Sequence, residues 1–445
     1  MIIRHKKTYK EILRISLPIS LALVIPFLNL SINNFFLGSL GELELGTAGI
    51  TGVYYLLLAM LGNGLHSAIQ TIIARRTGED DHSGIGKTFG QGLLISLTFS
   101  VILIIITYLF LPAFLKLVLR HETVHDIALE YLNIRIAGLP FLFLFQLANA
   151  FFMGSTNTKF LVYGTVVQAG ANIILDYAFI FGNWGFPALG FKGAAVASVI
   201  AEIAGMLVIY TVIVKKRFNR QFQLFRHIHF QPSVFRTISR MSLPLMGQYA
   251  ISLFTWLVFY LLIEHMGERA LAISNLMRNL FSFTGIFIWA FASATNTMVS
   301  LSVGQGRHKD VIGIIKRITE LSFALAFMLF LIININPGWF LEIFGISVSF
   351  VESGIPVLRM VSLGILFQSV SVIWLNGLTG IGKTTINLMA EFAAIIFYGI
   401  YVYLAIEVYQ LNLVWAWASE IIYWLIIFII SYAYIRSKKW MNYII

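Results

Sequence analysis

Long apolar segments decide what this chain can fold into. Runs of about 18 or more mostly apolar residues recur along its whole length, and each is long enough to cross a ~30 Å hydrocarbon core as a helix. Twelve can be delimited, at 16–38, 48–73, 89–112, 131–153, 161–182, 193–214, 242–264, 275–300, 319–336, 355–379, 385–407 and 413–435. Only 11% of the 445 residues are charged. Soluble domains carry about 25%, so too few charges remain to cover a water-facing surface. The expected fold class is an all-α polytopic membrane protein with twelve transmembrane helices. The chain has no cysteine, which excludes disulfides, thiol nucleophiles and Cys-ligated metals. Its basic start, MIIRHKKTYKEILR, precedes about 25 apolar residues with no small-residue cleavage site. This reads as a retained first span rather than a removed signal.

The formal charge of +11 would suggest nucleic acid as a partner in a soluble protein. Here it reads as the cytoplasmic bias of basic residues in membrane proteins, with no nucleic-acid partner. With both termini placed inside, Arg4, Lys6, Lys7, Lys10, Arg14, Arg75, Arg76, Lys87 and Lys159 all fall on the cytoplasmic side. So do the basic residues of the 6–7 loop, of the 8–9 and 10–11 turns, and of the C-terminal end. Only Lys116, Arg120, Arg135, Lys192, Arg269, Arg278 and Arg359 lie elsewhere. The expected location is the plasma (inner) membrane, with lipid as the surrounding partner and a monomer as the unit.

The polar stretch 215–240 divides the spans into two sets of six, giving an expected N-terminal lobe at 1–214, a basic cytoplasmic linker at 215–240 and a C-terminal lobe at 241–445. The halves are related in sequence. Ser16-Leu17-Pro18 matches Ser242-Leu243-Pro244, Gly41-Glu42 matches Gly267-Glu268, Gln70 matches Asn296, Gly78 matches Gly304, and Gly154 matches Gly380. The offset along the chain is identical for every one of these pairs. Six spans per repeat make both copies enter the membrane in the same direction. Such a parallel repeat suits two bundles that rock around a central site.

An ionisable group deep in a membrane is expensive and marks a functional candidate. Asp176 lies in span 5 among apolar residues, with Asn172 one helical turn before it on the same face. A carboxylate and an amide carbonyl are hard oxygen ligands suited to sodium, or the carboxylate could exchange protons instead. The plainer reading is a polar contact that holds two helices together. Glu202, inside span 6, offers a second charge or pairs with Gln168 or another polar group. Pro18 and Pro26 in span 1 permit helix bending. Gln70, Gln146, Asn149, Gln248, Asn296 and Gln368 are polar groups within spans and candidates for a substrate cavity, each alternatively a helix–helix contact. His66 in span 2 reads as a packed or cavity-lining histidine.

The chain resembles the multidrug and toxic compound extrusion (MATE) family of transporters, within the multidrug/oligosaccharidyl-lipid/polysaccharide flippase superfamily. Ile32-Asn33-Asn34-Phe35-Phe36-Leu37-Gly38-Ser39-Leu40-Gly41 is similar to that family's Val-Asp-x-x-Phe-(Ile/Val)-Gly-x-Leu-Gly. Ala74-Arg75-Arg76-Thr77-Gly78-Glu79-Asp80 is similar to its turn after span 2. Asn172-Ile173-Ile174-Leu175-Asp176-Tyr177-Ala178-Phe179-Ile180-Phe181-Gly182, followed by 189–198, follows its span 5–6 signature.

The resemblance implies two six-helix lobes around a central cavity, and export of organic compounds against returning sodium ions or protons, with no other cofactor. The substrates expected are amphiphilic or cationic compounds. It adds Asn33 and Ser198 to the cation site. Asn33 stands where the family has Asp, and Ser198 where Thr is common, so one of two charges is gone. Some branches of the family place a second cation site in the C-terminal lobe, on acids in spans 7 and 10. The corresponding positions here are Ser252 and Gln368 or Ser371, so coupling is expected in the first lobe alone. Glu391 and Glu420 are expected near span ends, solvated by water or headgroups.

Three rival readings remain. A flippase for lipid-linked or polysaccharide precursors would share the fold but would carry arginines facing the cavity, for which only Arg135, Arg278 and Arg359 qualify, all near span ends. A membrane transferase would need clustered acids or histidines at the membrane boundary, and none is apparent, so an enzyme is not expected. Gly377-Leu378-Thr379-Gly380-Ile381-Gly382-Lys383-Thr384 satisfies a phosphate-loop pattern. That chemistry needs a preceding strand and an α/β domain, and a turn between two spans explains the segment better.

Overall fold

A computed structural model describes residues 9–119, 121–342 and 348–441. Arg4, Lys6, Lys7 and Arg120 of the charge pattern lie outside the described residues. No strand occurs among the described residues. Among the described residues, twelve helices are long and apolar enough to span a membrane: α1 (Tyr9–Gly38), α2 (Glu42–Gly78), α3 (His82–Leu117), α4 (Glu122–Gly154), α5 (Thr158–Phe181), α6 (Phe191–Lys215), α7 (Pro232–Glu264), α8 (Glu268–Gly304), α9 (His308–Ile335), α10 (Phe350–Ile381), α11 (Thr384–Val408) and α12 (Leu413–Arg436). Each contains one of the twelve apolar segments almost entirely and most run past it, because helical hydrogen bonding continues into the polar residues beyond the hydrocarbon. Helix α7 begins at Pro232, inside the polar stretch 215–240, so part of that stretch is helix rather than link.

The duplication reaches the backbone. Gly41 and Gly267, Asp80 and Gly306, Thr156 and Gly382, and Trp184 and Gln410 all have positive φ, and each pair keeps the offset of the repeated motifs. The same turns therefore recur with different residues in them. In the first half α2 packs on α4, α4 on α6, and α5 on α6; in the second half α8 packs on α10, α10 on α12, and α11 on α12. A Cβ on Gly154 would lie 2.8 Å from the Gln70 carbonyl oxygen, and one on Gly380 would lie 2.8 Å from that of Asn296. Both glycines let two helices approach closely, at equivalent points of the two copies.

Two compact units result, Leu21–Met246 and a second comprising Met1–Ser20 with Gly247–Ile445. The breaks fall inside α1 and α7, at equivalent positions of the repeat. Thus Tyr9, at the start of α1, donates to Glu320 of α9 at 2.5 Å. Likewise Met246, in the first half of α7, has its backbone against Gly64 of α2. Pro18 and Pro26 both lie within α1, which is helical throughout Tyr9–Gly38.

Within Leu21–Met246, Leu37, Leu111, Leu115, Tyr131, Ile180 and Phe191 form a core that joins five helices. Tyr131 and Phe191 stack at 4.4 Å there. In the other unit, Trp256, Phe259 and Trp417 pack edge to face, and the Trp417 Nε1 donates to Ser274 at 3.0 Å. Large apolar side chains are exposed in helical register along α3, at Val101, Ile105 and Leu109. In water such a stripe would drive association, whereas against hydrocarbon it satisfies the solvent.

Candidate functional site

Asp176 sits five residues before the end of α5 and is completely buried. Neither of its carboxylate oxygens accepts a hydrogen bond from the protein. One turn earlier, Asn172 accepts from Asn29 Nδ2 of α1 at 2.7 Å. Its own amide donates to Ser198 Oγ of α6 at 3.4 Å. Asn29 and Asn33 are one turn apart on α1, as Asn172 and Asp176 are on α5. Helices 1 and 5 cross in the same direction, so the Asn29–Asn172 bond brings Asn33 level with Asp176. The Oδ1 atoms of Asn29 and Asn33 also lack a protein donor. Acceptor oxygens without donors, around one carboxylate, are what a cation would satisfy.

The structure thus gathers Asn33, Asn172, Asp176 and Ser198 in one region and adds Asn29, which sequence reasoning missed. The signal for it was the Asn29/Asn33 spacing of four on a predicted helix.

Glu202 has a different environment. Arg135 donates to both of its carboxylate oxygens, at 2.7 and 2.9 Å. The Tyr55 hydroxyl donates to the same carboxylate at 2.9 Å, and the guanidinium lies 3.6 Å from the centre of the Tyr55 ring. This corrects the placement of Arg135 at a span end: its side chain is only 13% exposed. A 3₁₀ turn at Ile136–Gly138 interrupts α4 directly after Arg135, and Gly138 has no Cβ to push against the pair.

The second half departs further from expectation. Glu391 and Glu420 are buried within their unit, 1% and 3% exposed, rather than solvated at span ends. Helical packing covers them although each lies within about two turns of a helix start. Ser252 and Tyr423 donate to Glu391 Oε1, and Gln248 donates to Oε2 at 3.2 Å. Position 252 is a serine, as read from the sequence, but α11 brings the carboxylate of Glu391 to its hydroxyl. Glu420 accepts from Trp424 Nε1 at 3.1 Å.

Among the cavity candidates, Gln248 is therefore engaged with Glu391. Gln146 donates to the Ala59 carbonyl at 3.3 Å, while its Oε1 and the Oδ1 of Asn149 accept nothing. Gln70, Asn296 and Gln368 are buried among helices. His66 is packed, with Nδ1 2.6 Å from the Gly62 carbonyl and Nε2 2.9 Å from Ser96 Oγ. In the phosphate-loop look-alike, α10 runs through Gly377–Ile381, and Thr379 Oγ1 accepts from Asn387 at 2.7 Å. Helix geometry there leaves no cradle of backbone N–H groups for a phosphate.

Known proteins resemble this chain in sequence and in fold. The "probable multidrug resistance protein NorM" of Thermotoga maritima is 24% identical over 419 residues, covering 93% of this chain and 89% of that protein. The protein of the same description from Halalkalibacterium halodurans is 26% identical over 309 residues, 68% of each chain. A solved Pyrococcus furiosus transporter of the MOP superfamily, described as having a binding pocket of reverse polarity, has a similar fold. Its TM-score is 0.89 over 96% of this chain and 95% of that one, at 19% identity. A family model described as MatE matches residues 18–178 and again 244–404, two copies set apart by the same offset that separates the repeated motifs and turns. The chain therefore belongs to the MatE family, whose members are membrane transporters rather than enzymes.

Proposed function

We propose that this protein is a secondary antiporter that exports organic, amphiphilic or cationic compounds as a cation returns through the Asp176 cluster. The single observation that carries the reading is a fully buried carboxylate whose two oxygens accept nothing from the protein. A proton would satisfy one of those oxygens. A sodium ion would draw on Asp176 together with Asn33 Oδ1 and Asn29 Oδ1, with Ser198 and Asn172 supporting them, so the acceptor-rich shell favours sodium. Alternating access by two repeated bundles supplies the coupling. A cation bound at Asp176 removes the penalty of an uncompensated buried charge, and the bundle can then change state. Both termini cytoplasmic, as the distribution of basic residues indicates, orients that cycle for export. The flippase alternative loses support at Arg135, whose guanidinium is already committed to Glu202.

Reconstituted vesicles loaded with ethidium, given an imposed sodium or proton gradient, test this directly. Wild-type protein should move ethidium against its gradient, and Asp176→Asn should not. Uphill transport by Asp176→Asn would overturn the assignment.

A further inference from the structure

We propose that Glu391 is a proton-binding site in the second half of the chain, distinct from the Asp176 cluster and built on a different principle. Three side chains from two other helices converge on this one carboxylate of α11. Gln248 and Ser252 come from α7, one turn apart, and Tyr423 comes from α12. The partners are divided by oxygen. Oε2 meets an amide N–H, which can only donate, so Oε2 remains an acceptor in either protonation state. Oε1 meets two hydroxyls, and a hydroxyl donates or accepts according to how it rotates.

A proton arriving at Oε1 makes a carboxylic acid. Its O–H then donates to the Ser252 or Tyr423 oxygen, and the displaced hydroxyl hydrogen turns to another acceptor. For Ser252 that acceptor is the carbonyl of Gln248, one turn back on its own helix. The shell therefore accommodates both states without leaving a buried group unpaired. The Asp176 shell, made of acceptors, cannot do this.

A second observation supplies the route. Asn387 and Glu391 are spaced four apart on one face of the first turns of α11, and Lys383 is the residue just before that helix. Asn387 is 1% exposed, and its Oδ1 is buried without a protein donor. It lies one turn from Glu391 toward the end of the helix. At 1.5 Å per residue, Glu391 is about 10 Å from the helix start, a distance that one polar side chain can bridge. The titratable groups around Glu391 are Tyr249 on α7, Tyr398 on α11, and Tyr423 and Glu420 on α12. Glu420 is the one carboxyl group among them, and so the one to separate from Glu391.

The proposal goes beyond the Asp176 reading and does not depend on it. The test is infrared difference spectroscopy of the purified full-length protein as the buffer is stepped from acid to alkaline. Wild type should lose a carboxylic-acid carbonyl band. That band should be missing from Glu391→Gln and present in Asp176→Asn and Glu420→Gln. The same band in folded Glu391→Gln overturns the proposal while leaving Asp176 untouched. If Glu391→Gln fails to fold, Ser252→Ala and Tyr423→Phe carry the test. Each removes one hydrogen bond to a charged group and should displace the midpoint of the band by about one pH unit. An unmoved midpoint in both variants overturns it equally.

Discussion

The two halves of this protein share a backbone plan but surround their buried carboxylates differently. Helix pairings, left-handed turns and the close approaches at Gly154 and Gly380 recur at a constant offset. The acids do not. Asp176 has neighbouring oxygens and no donor, Glu202 is held by a guanidinium, and Glu391 is surrounded by donors and hydroxyls. Duplication preserves what packing demands, whereas the polar contents of each lobe diverge because a few side chains change them without disturbing the helices. The first half therefore holds one carboxylate without a donor and one paired with a guanidinium, and the second holds Glu391, which its own shell satisfies, and Glu420, which accepts from Trp424.

The largest expected effect breaks that contrast at Asp176. Asp176→Asn should reduce gradient-driven ethidium efflux to the level of protein-free vesicles, with folding intact by size-exclusion chromatography. Next comes the neutralised pair. Arg135→Met or Glu202→Gln alone leaves one buried charge without its partner and should cost about 3–5 kcal/mol of stability. The double variant should recover much of that loss, which thermal unfolding in detergent will show. A loss in the double variant equal to the sum of the two single losses would mean that the pair is not coupled.

The shared packing gives a smaller and symmetric prediction. Gly154→Ala and Gly380→Ala each drive a methyl into a carbonyl of the neighbouring helix and should destabilise by about 1–3 kcal/mol. The two values should agree if the halves are equivalent there; a cost in one half alone would show that the symmetry is only geometric. The smallest effect lies outside the membrane. The hydrogen bond that His265 Nδ1 donates to Glu407, 2.7 Å long, raises the His265 pKa above its ordinary value, and the charge of Glu407 adds to this. Because the folded value is the higher one, the stabilisation is fully present below the unfolded value near 6.5. It is lost as pH rises through the folded value. His265→Gln should flatten that slight pH dependence of the melting temperature.

Much of this was legible from residues alone. Twelve spans, two copies of six and their constant offset follow from hydropathy and repeated motifs, and Asp176 with Asn172 stood out as a polar pair one turn apart. The fate of Glu202, Glu391 and Arg135 did not follow. Position within a span suggested that Arg135 and Glu391 were near water, but exposure depends on which helices lie alongside, and that is a property of the packing. Ser252 illustrates the point. Read along the chain, it was a site that had lost its acid; in the fold, α11 delivers Glu391 to the same hydroxyl.

The sequence by itself determined that the chain lives in a membrane, that its backbone is helical, and that it is a doubled six-helix unit. Those properties follow from apolar length and local hydrogen bonding, which each segment carries on its own. Only the tertiary structure decided which buried charges are paired, which are ringed by donors and which have no donor at all. Those outcomes depend on contacts between helices far apart in the chain, such as Asn29 with Asn172 and Gln248 with Glu391. There a single partner side chain sets whether a buried carboxylate is paired or left without a donor.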